Sequence, residues 1–209
     1  MLLDLRVKDF VDQLATEAPT PGGGSVAAIA GALGAGLISM VCRLTLGKKG
    51  YEAVEEDMKI ILEKSEALRM RMLQLIDEDS HAFDQVMSGF KLPQRDDQEK
   101  AHRARFLQEA YKKASDTPFA IAEYCLQILL LAEKAITRGN KNLISDVGVA
   151  AKVTAAALES AFMNIDINLP AIKDRDYVAN MKTNMQEIKY QAEASTQKTY
   201  LEYDAIMGS

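Results

Sequence analysis

Apolar residues along this chain recur at intervals of three and four, never in sustained alternation. Val7, Phe10, Val11 and Leu14 mark a short amphipathic helix that ends at the breaker Pro19-Thr20-Pro21-Gly22-Gly23-Gly24. A second helix, capped by Gly24 or Ser25, is predicted to run through Leu46 to a stop at Gly47-Lys48-Lys49-Gly50. From Tyr51 to Phe90 one long helix carries a heptad-like seam: Val54, Met58, Ile61, Ser65, Leu68, Met72, Leu75, Asp79, Ala82 and Val86. A charged amphipathic helix follows over Arg95 to Ser115. Thr117-Pro118 then reads as an N-cap with proline at the first position of another helix, and Gly139 as that helix's C-cap. Two more are expected, from about Ser145 to Ile167 and from about Asp174 to Ile206. With no repeat and no interdomain linker, the expectation is an all-α, single-domain bundle of long helices over residues 1–209.

Composition agrees and narrows the function classes. The 209 residues include 12 Gly and 5 Pro, and between Tyr51 and Arg138 only Gly89, Pro93 and Pro118 could serve turns. A sheet protein needs such residues every eight to twelve positions or so. A net charge of −5, no Trp and 6% aromatic residues offer little to a nucleic-acid backbone, so no nucleic-acid partner is expected. Two cysteines, Cys42 and Cys125, make no disulfide framework, and with two histidines, His81 and His102, no metal site is expected. The start MLLDLRVKDF lacks a signal-peptide pattern, which makes the cytoplasm the expected location. The second helix is uncharged from Ser25 to Cys42, near the lower limit for a membrane span. Its many Ala and Gly residues suit a buried central helix better, so no membrane partner is expected.

Four places could carry chemistry. Asp79 interrupts the apolar seam one turn before Phe83. A carboxylate there must be paired, hydrogen-bonded, protonated or facing a cavity; it is either a polar register device or a functional acid. His81 and Asp84 fall off the seam. On the later helix, Asp146, Ala150, Val153, Ala157, Ala161, Asn164 and Asn168 share a stripe, preceded by Asn140 and Asn142. Ser145 or Asp146 could simply cap that helix; alternatively these groups could read a flat heterocycle with donor and acceptor edges. Gly22, Gly23, Gly24 and Ser25 put bare backbone N–H groups at a helix start, which is either a turn or a place for an anion or carbonyl. Lys48 and Lys49 either complement the helix dipole or attract ligand carboxylates.

Taken in order, these pieces resemble the cyclodeaminase/cyclohydrolase family of folate enzymes. The matching segments are Pro19-Thr20-Pro21-Gly22-Gly23-Gly24-Ser25, Thr45-Leu46-Gly47-Lys48-Lys49, Asp79-Ser80-His81-Ala82-Phe83-Asp84, Leu92-Pro93, Gly139-Asn140, Ser145-Asp146, and Asn164 to Asn168. The resemblance implies an all-helical fold, a homodimer, and a tetrahydrofolate derivative (possibly polyglutamylated) as substrate, with no metal or further cofactor. It implies Asp79 as the proton-transfer residue, with Gly22, Gly23, Gly24, Ser25, Lys48, Lys49, Asn140, Asp146 and Asn164 around the folate. The expected reaction is hydrolysis of 5,10-methenyltetrahydrofolate to 10-formyltetrahydrofolate. The alternatives are ammonia release from 5-formiminotetrahydrofolate and, in a different class, a helical protein-interaction module.

Overall fold

The computed structural model describes residues 1–208, and among these it has six α-helices and no strand: α1 (Val7–Leu14), α2 (Gly23–Arg43), α3 (Glu55–Phe90), α4 (Asp97–Arg138), α5 (Ile144–Asp166) and α6 (Arg175–Met207). Helix α2 lies at the centre, packed on α3 and α5 with α4 behind it, while α6 covers α4 and α5. The seam predicted on α3 is real: Met58, Ile61, Ser65, Leu68, Met72, Leu75, Ala82 and Val86 are all buried. Helix α2 is long and apolar enough to cross a membrane by length and composition alone, but 61% of its apolar window is buried inside the bundle.

Close packing around α2 depends on its glycines. A Cβ on Gly34 would stand 2.0 Å from Thr154 Oγ1 of α5, so the α2 and α5 backbones approach each other here. The Gly23–Asn164 and Gly34–Thr154 neighbours show that α2 and α5 run antiparallel. Their opposite ends are therefore separated by the length of α2, about 30 Å at 1.5 Å per residue.

Three local expectations change. The segments expected on either side of Thr117-Pro118 form one helix, α4, with Pro118 inside it. Thr117 does not cap; its hydroxyl donates to the Lys113 carbonyl. An interior proline costs a helix about 3 kcal/mol, partly through the bond its nitrogen cannot donate to residue i−4. That orphaned acceptor is the Ala114 carbonyl, and Asn168 Nδ2 donates to it at 3.0 Å. Helix α2 starts earlier than expected, with Gly22 rather than Gly24 or Ser25 at the N-cap, which frees the Ser25 side chain for other partners. It also stops earlier, at Arg43, and Leu44–Gly50 form a turn in which Gly47 (φ 70°) and Gly50 (φ 90°) take left-handed conformations. Finally, neither Ser145 nor Asp146 caps α5, which begins at Ile144; Asn140 instead accepts from Asn142 N in the turn before it. Gly139 does end α4, but at φ −71°; what excludes a side chain there is the Ala135 carbonyl oxygen and the Val41 methyl, 2.7 and 2.8 Å from where a Cβ would lie.

Candidate active site

A cleft of about 410 Å³ opens where the N-terminal end of α2 meets the C-terminal part of α3, the middle of α4 and the end of α5. Gly22, Gly23, Gly24, Asp79, Asn164 and Asn168 line it, together with an aromatic and aliphatic wall that includes Phe83, Met87, Phe90 and Tyr111. Among the described residues Asp79 is its only carboxylate, and no cationic side chain lines it.

The backbone brings Asp79 against the start of α2. A Cβ on Gly24 would fall 2.0 Å from Asp79 Oδ1, so only glycine admits the carboxylate at that position. Ser25, the third residue of α2, is fully buried. Its hydroxyl lies 3.1 Å from Asp79 Oδ2, 3.1 Å from the Ile76 carbonyl and 3.2 Å from Ser80 Oγ. Burial raises the Asp79 pKa above the ordinary aspartate value, while the Ser25 hydroxyl and backbone N–H pull the other way by favouring the ionised form. Ser25 has acceptors for either state. It donates to an ionised Asp79, or accepts from a protonated one while donating to Ile76. An aspartate so held can take up and give back a proton without rearranging its surroundings.

The opposite wall offers hydrogen bonds to a flat ligand. Asn164 Nδ2 donates to the Ser160 carbonyl, and both Asn168 Nδ2 protons are used, on Ala114 and Asn164 carbonyls. Their amide oxygens are left as acceptors. The N–H groups of Gly23 and Gly24 have no acceptor among the described residues, as expected in the first turn of a helix.

The sequence-predicted residues thus divide in two. Gly22, Gly23, Gly24, Ser25, Asp79 and Asn164 come together, with Ser25 behind Asp79 rather than on the cleft surface. Lys48, Lys49, Asn140 and Asp146 gather at the far end of α2 and the start of α5. There Asn140 N donates to Thr45 Oγ1 at 2.9 Å and Lys48 Nζ lies 5.8 Å from the Tyr51 ring centre. His81 is exposed, as its off-seam position predicts. Asn168 belongs to the cleft and was visible in the stripe, but only its bond to Ala114 reveals why it is held there. Among the described residues no three His, Cys, Asp or Glu side chains gather as metal ligands would.

The sequence model of the formiminotransferase-cyclodeaminase family matches residues 6–187. The chain belongs to that family. Among its relatives is a methenyltetrahydrofolate cyclohydrolase from Methylorubrum extorquens, 45% identical over 93% of each chain. The formimidoyltransferase-cyclodeaminase of Mus musculus is 33% identical over 94% of this chain, which corresponds to 36% of the mouse protein. A crystal structure of formiminotetrahydrofolate cyclodeaminase from Thermotoga maritima superposes with a TM-score of 0.90 at 33% identity, covering 99% of this chain and 100% of that one. The all-helical bundle expected from periodicity is therefore the fold this family uses.

Proposed function

We propose that this protein is a methenyltetrahydrofolate cyclohydrolase, acting in the cytoplasm without a metal. The observation that carries the reading is Asp79: one proton-exchanging carboxylate, held by Ser25, in a cleft otherwise without charge. The similarity to the M. extorquens cyclohydrolase over nearly the whole of both chains supports the same choice.

The substrate is a cation whose charge is shared over N5, C1 and N10. Ionised Asp79 stabilises that cation and, as water adds to C1, takes one of its protons. It then returns the proton to N5 as the C1–N5 bond breaks and the C1 hydroxyl sheds its remaining proton to solvent, which leaves 10-formyltetrahydrofolate and a carboxylate ready for another cycle. The Asn164 and Asn168 oxygens accept from the pterin's N–H groups, Gly23 and Gly24 N–H face its acceptors, and the aromatic wall receives the aminobenzoyl ring. The likeness to the T. maritima cyclodeaminase favours a second reading, in which N10 attacks a formimino carbon on N5 and ammonia leaves. Asp79 serves either reaction. A near-ultraviolet assay separates them: loss of the methenyl absorbance above its spontaneous rate supports the first, and its formation from 5-formiminotetrahydrofolate the second.

Lys48, Lys49, Asn140 and Asp146 enter this reading through a homodimer. Helices α2 and α5 expose a shared face without charge, including Leu33 (60% exposed), Val149 (55%) and Met163 (70%). A twofold axis across the middle of two antiparallel helices exchanges their ends, so the far end of one protomer would approach its partner's cleft. Light scattering should give twice 23.0 kDa, and Leu33→Lys should halve it; a wild-type monomer at micromolar concentration sinks this assembly.

A further inference from the structure

Two aromatic rings, Phe90 and Tyr111, line the cleft, and a cation lies near the first of them. The Phe90 ring meets Tyr111 edge-on, with centroids 6.5 Å apart and planes at 81°. Arg103, on the early part of α4, places its guanidinium 5.7 Å from the Phe90 centroid. Its Nε is buried with no hydrogen-bond partner. Three of the other six lysines and arginines of α4 have acids beside them, Lys100 with Asp97, Lys112 with Asp174 and Arg138 with Asp57. Arg103 has no such partner among the described residues. A buried donor left unpaired costs stability, and this guanidinium lies beside Phe90, which lines the cleft.

We propose that Arg103 binds a carboxylate of the substrate's glutamate and sets specificity for it. This rests on the folate reading of the cleft. Along α3, Asp79 and Phe90 are eleven residues apart, about 16 Å. In the substrate, C1 and the glutamate α-carboxylate are separated by an aromatic ring and an amide, roughly 10 Å from ordinary bond lengths. With a contact of about 3 Å at each end, C1 lies against Asp79, the ring runs along Phe83 and Met87, and the carboxylate comes within reach of Arg103 beside Phe90. A guanidinium presents a planar fork that matches both carboxylate oxygens, which an ammonium cannot do. Arg103 lies on the same chain as Asp79, so this contact is separate from anything the partner's lysines contribute.

The test compares ligands with and without the glutamate. For the wild-type protein, calorimetric affinity should be about 10- to 100-fold higher for 5-formyltetrahydrofolate than for 5-formyltetrahydropteroate, the range expected of a charge-assisted hydrogen bond. Arg103→Gln should abolish that preference by weakening only the glutamate-bearing ligand, and Arg103→Lys should restore part of it. In turnover, Arg103→Gln should raise KM for methenyltetrahydrofolate and leave kcat in place. A wild-type protein that binds both ligands alike overturns the proposal, as does an Arg103→Gln variant that weakens both equally or neither. Absence of turnover with the ligand preference intact would sink the reaction proposed above and leave Arg103 standing. If Arg103→Gln fails to fold, the wild-type comparison can still overturn the proposal, and Arg103→Lys, expected to weaken only the glutamate-bearing ligand, supplies the variant arm.

Discussion

At its N-terminal end α2 meets its neighbours through bare backbone. Gly24 leaves room for the Asp79 carboxylate, and the N–H groups of Gly23 and Gly24 face a cleft. At its C-terminal end the same helix is tied down by side chains. Thr45 Oγ1 donates to the Val41 carbonyl at 2.7 Å and accepts from Asn140 N, and Asn140 Nδ2 donates to the Leu44 carbonyl at 3.3 Å. Tyr51 Oη accepts from Lys141 N at 2.9 Å. Helix ends carry orphan backbone groups by construction, and a stable protein satisfies them. Here one end is satisfied by the protein, while the other keeps donors for something else. The contrast separates a scaffold from a site within one helix.

The strongest way to break this comparison is Asp79→Asn. It keeps the shape and removes proton exchange, so kcat should fall by roughly 10²–10⁴, checked by absorbance. Because burial raises the folded-state pKa of Asp79, ionising it opposes folding above that pKa, and the penalty disappears as pH falls below the unfolded value. The variant should therefore melt at or above the wild-type temperature near neutral pH and lose that advantage in acid. For the same reason the acid limb of the wild-type kcat/KM profile should lie above the ordinary aspartate range. A lowered melting temperature, with activity lost only through unfolding, would make Asp79 structural.

Next comes Gly24→Ala. The new methyl must displace the Asp79 carboxylate, and a misplacement near 1 Å can cost on the order of 10² in kcat. Gly36→Ala on the same helix is the control, since its Cβ would meet only Arg69 Cδ at 3.7 Å; activity should persist and thermal stability rise slightly. Equal effects of the two substitutions would refute the special role of the N-terminal end. At the other end, Thr45→Val removes one donor and one acceptor from a buried set, and denaturant titration should show a loss of about 1–3 kcal/mol with kcat retained. The smallest effect is expected from Lys48→Ala/Lys49→Ala. If these lysines serve a partner's cleft, KM should rise several-fold, more for polyglutamylated substrate and more at low salt; equal changes for mono- and polyglutamate forms would leave the pair with the scaffold.

Legibility in the sequence followed the range of the interactions. The α3 seam could be read because burial repeats every three or four residues, and Asp79 stood out as the acid breaking it. The triple glycine marked the start of α2, though Ser25 looked like a cap until its bonds to α3 were visible. Pro118 misled because local sequence says that proline begins a helix, while its compensation comes from Asn168, distant in the chain. The placement of Lys48, Lys49, Asn140 and Asp146 away from Asp79 was hidden for a related reason. It follows from the antiparallel pairing of α2 with α5, which no single segment encodes. Arg103 gave no periodic signal, being one charge among many on a charged helix.

The proline in α4 has a consequence for anyone who would engineer this protein. Pro118→Ala is the kind of helix-idealising change that normally stabilises, and here it would return an N–H to compete for the Ala114 carbonyl. The Asn168 amide would then be held only by its bond to the Asn164 carbonyl, and the acceptor it turns to the cleft would be less firmly fixed. The defect in one helix thus acts as a template for the polarity of the wall opposite Asp79, and a sturdier α4 would come with a less selective cleft.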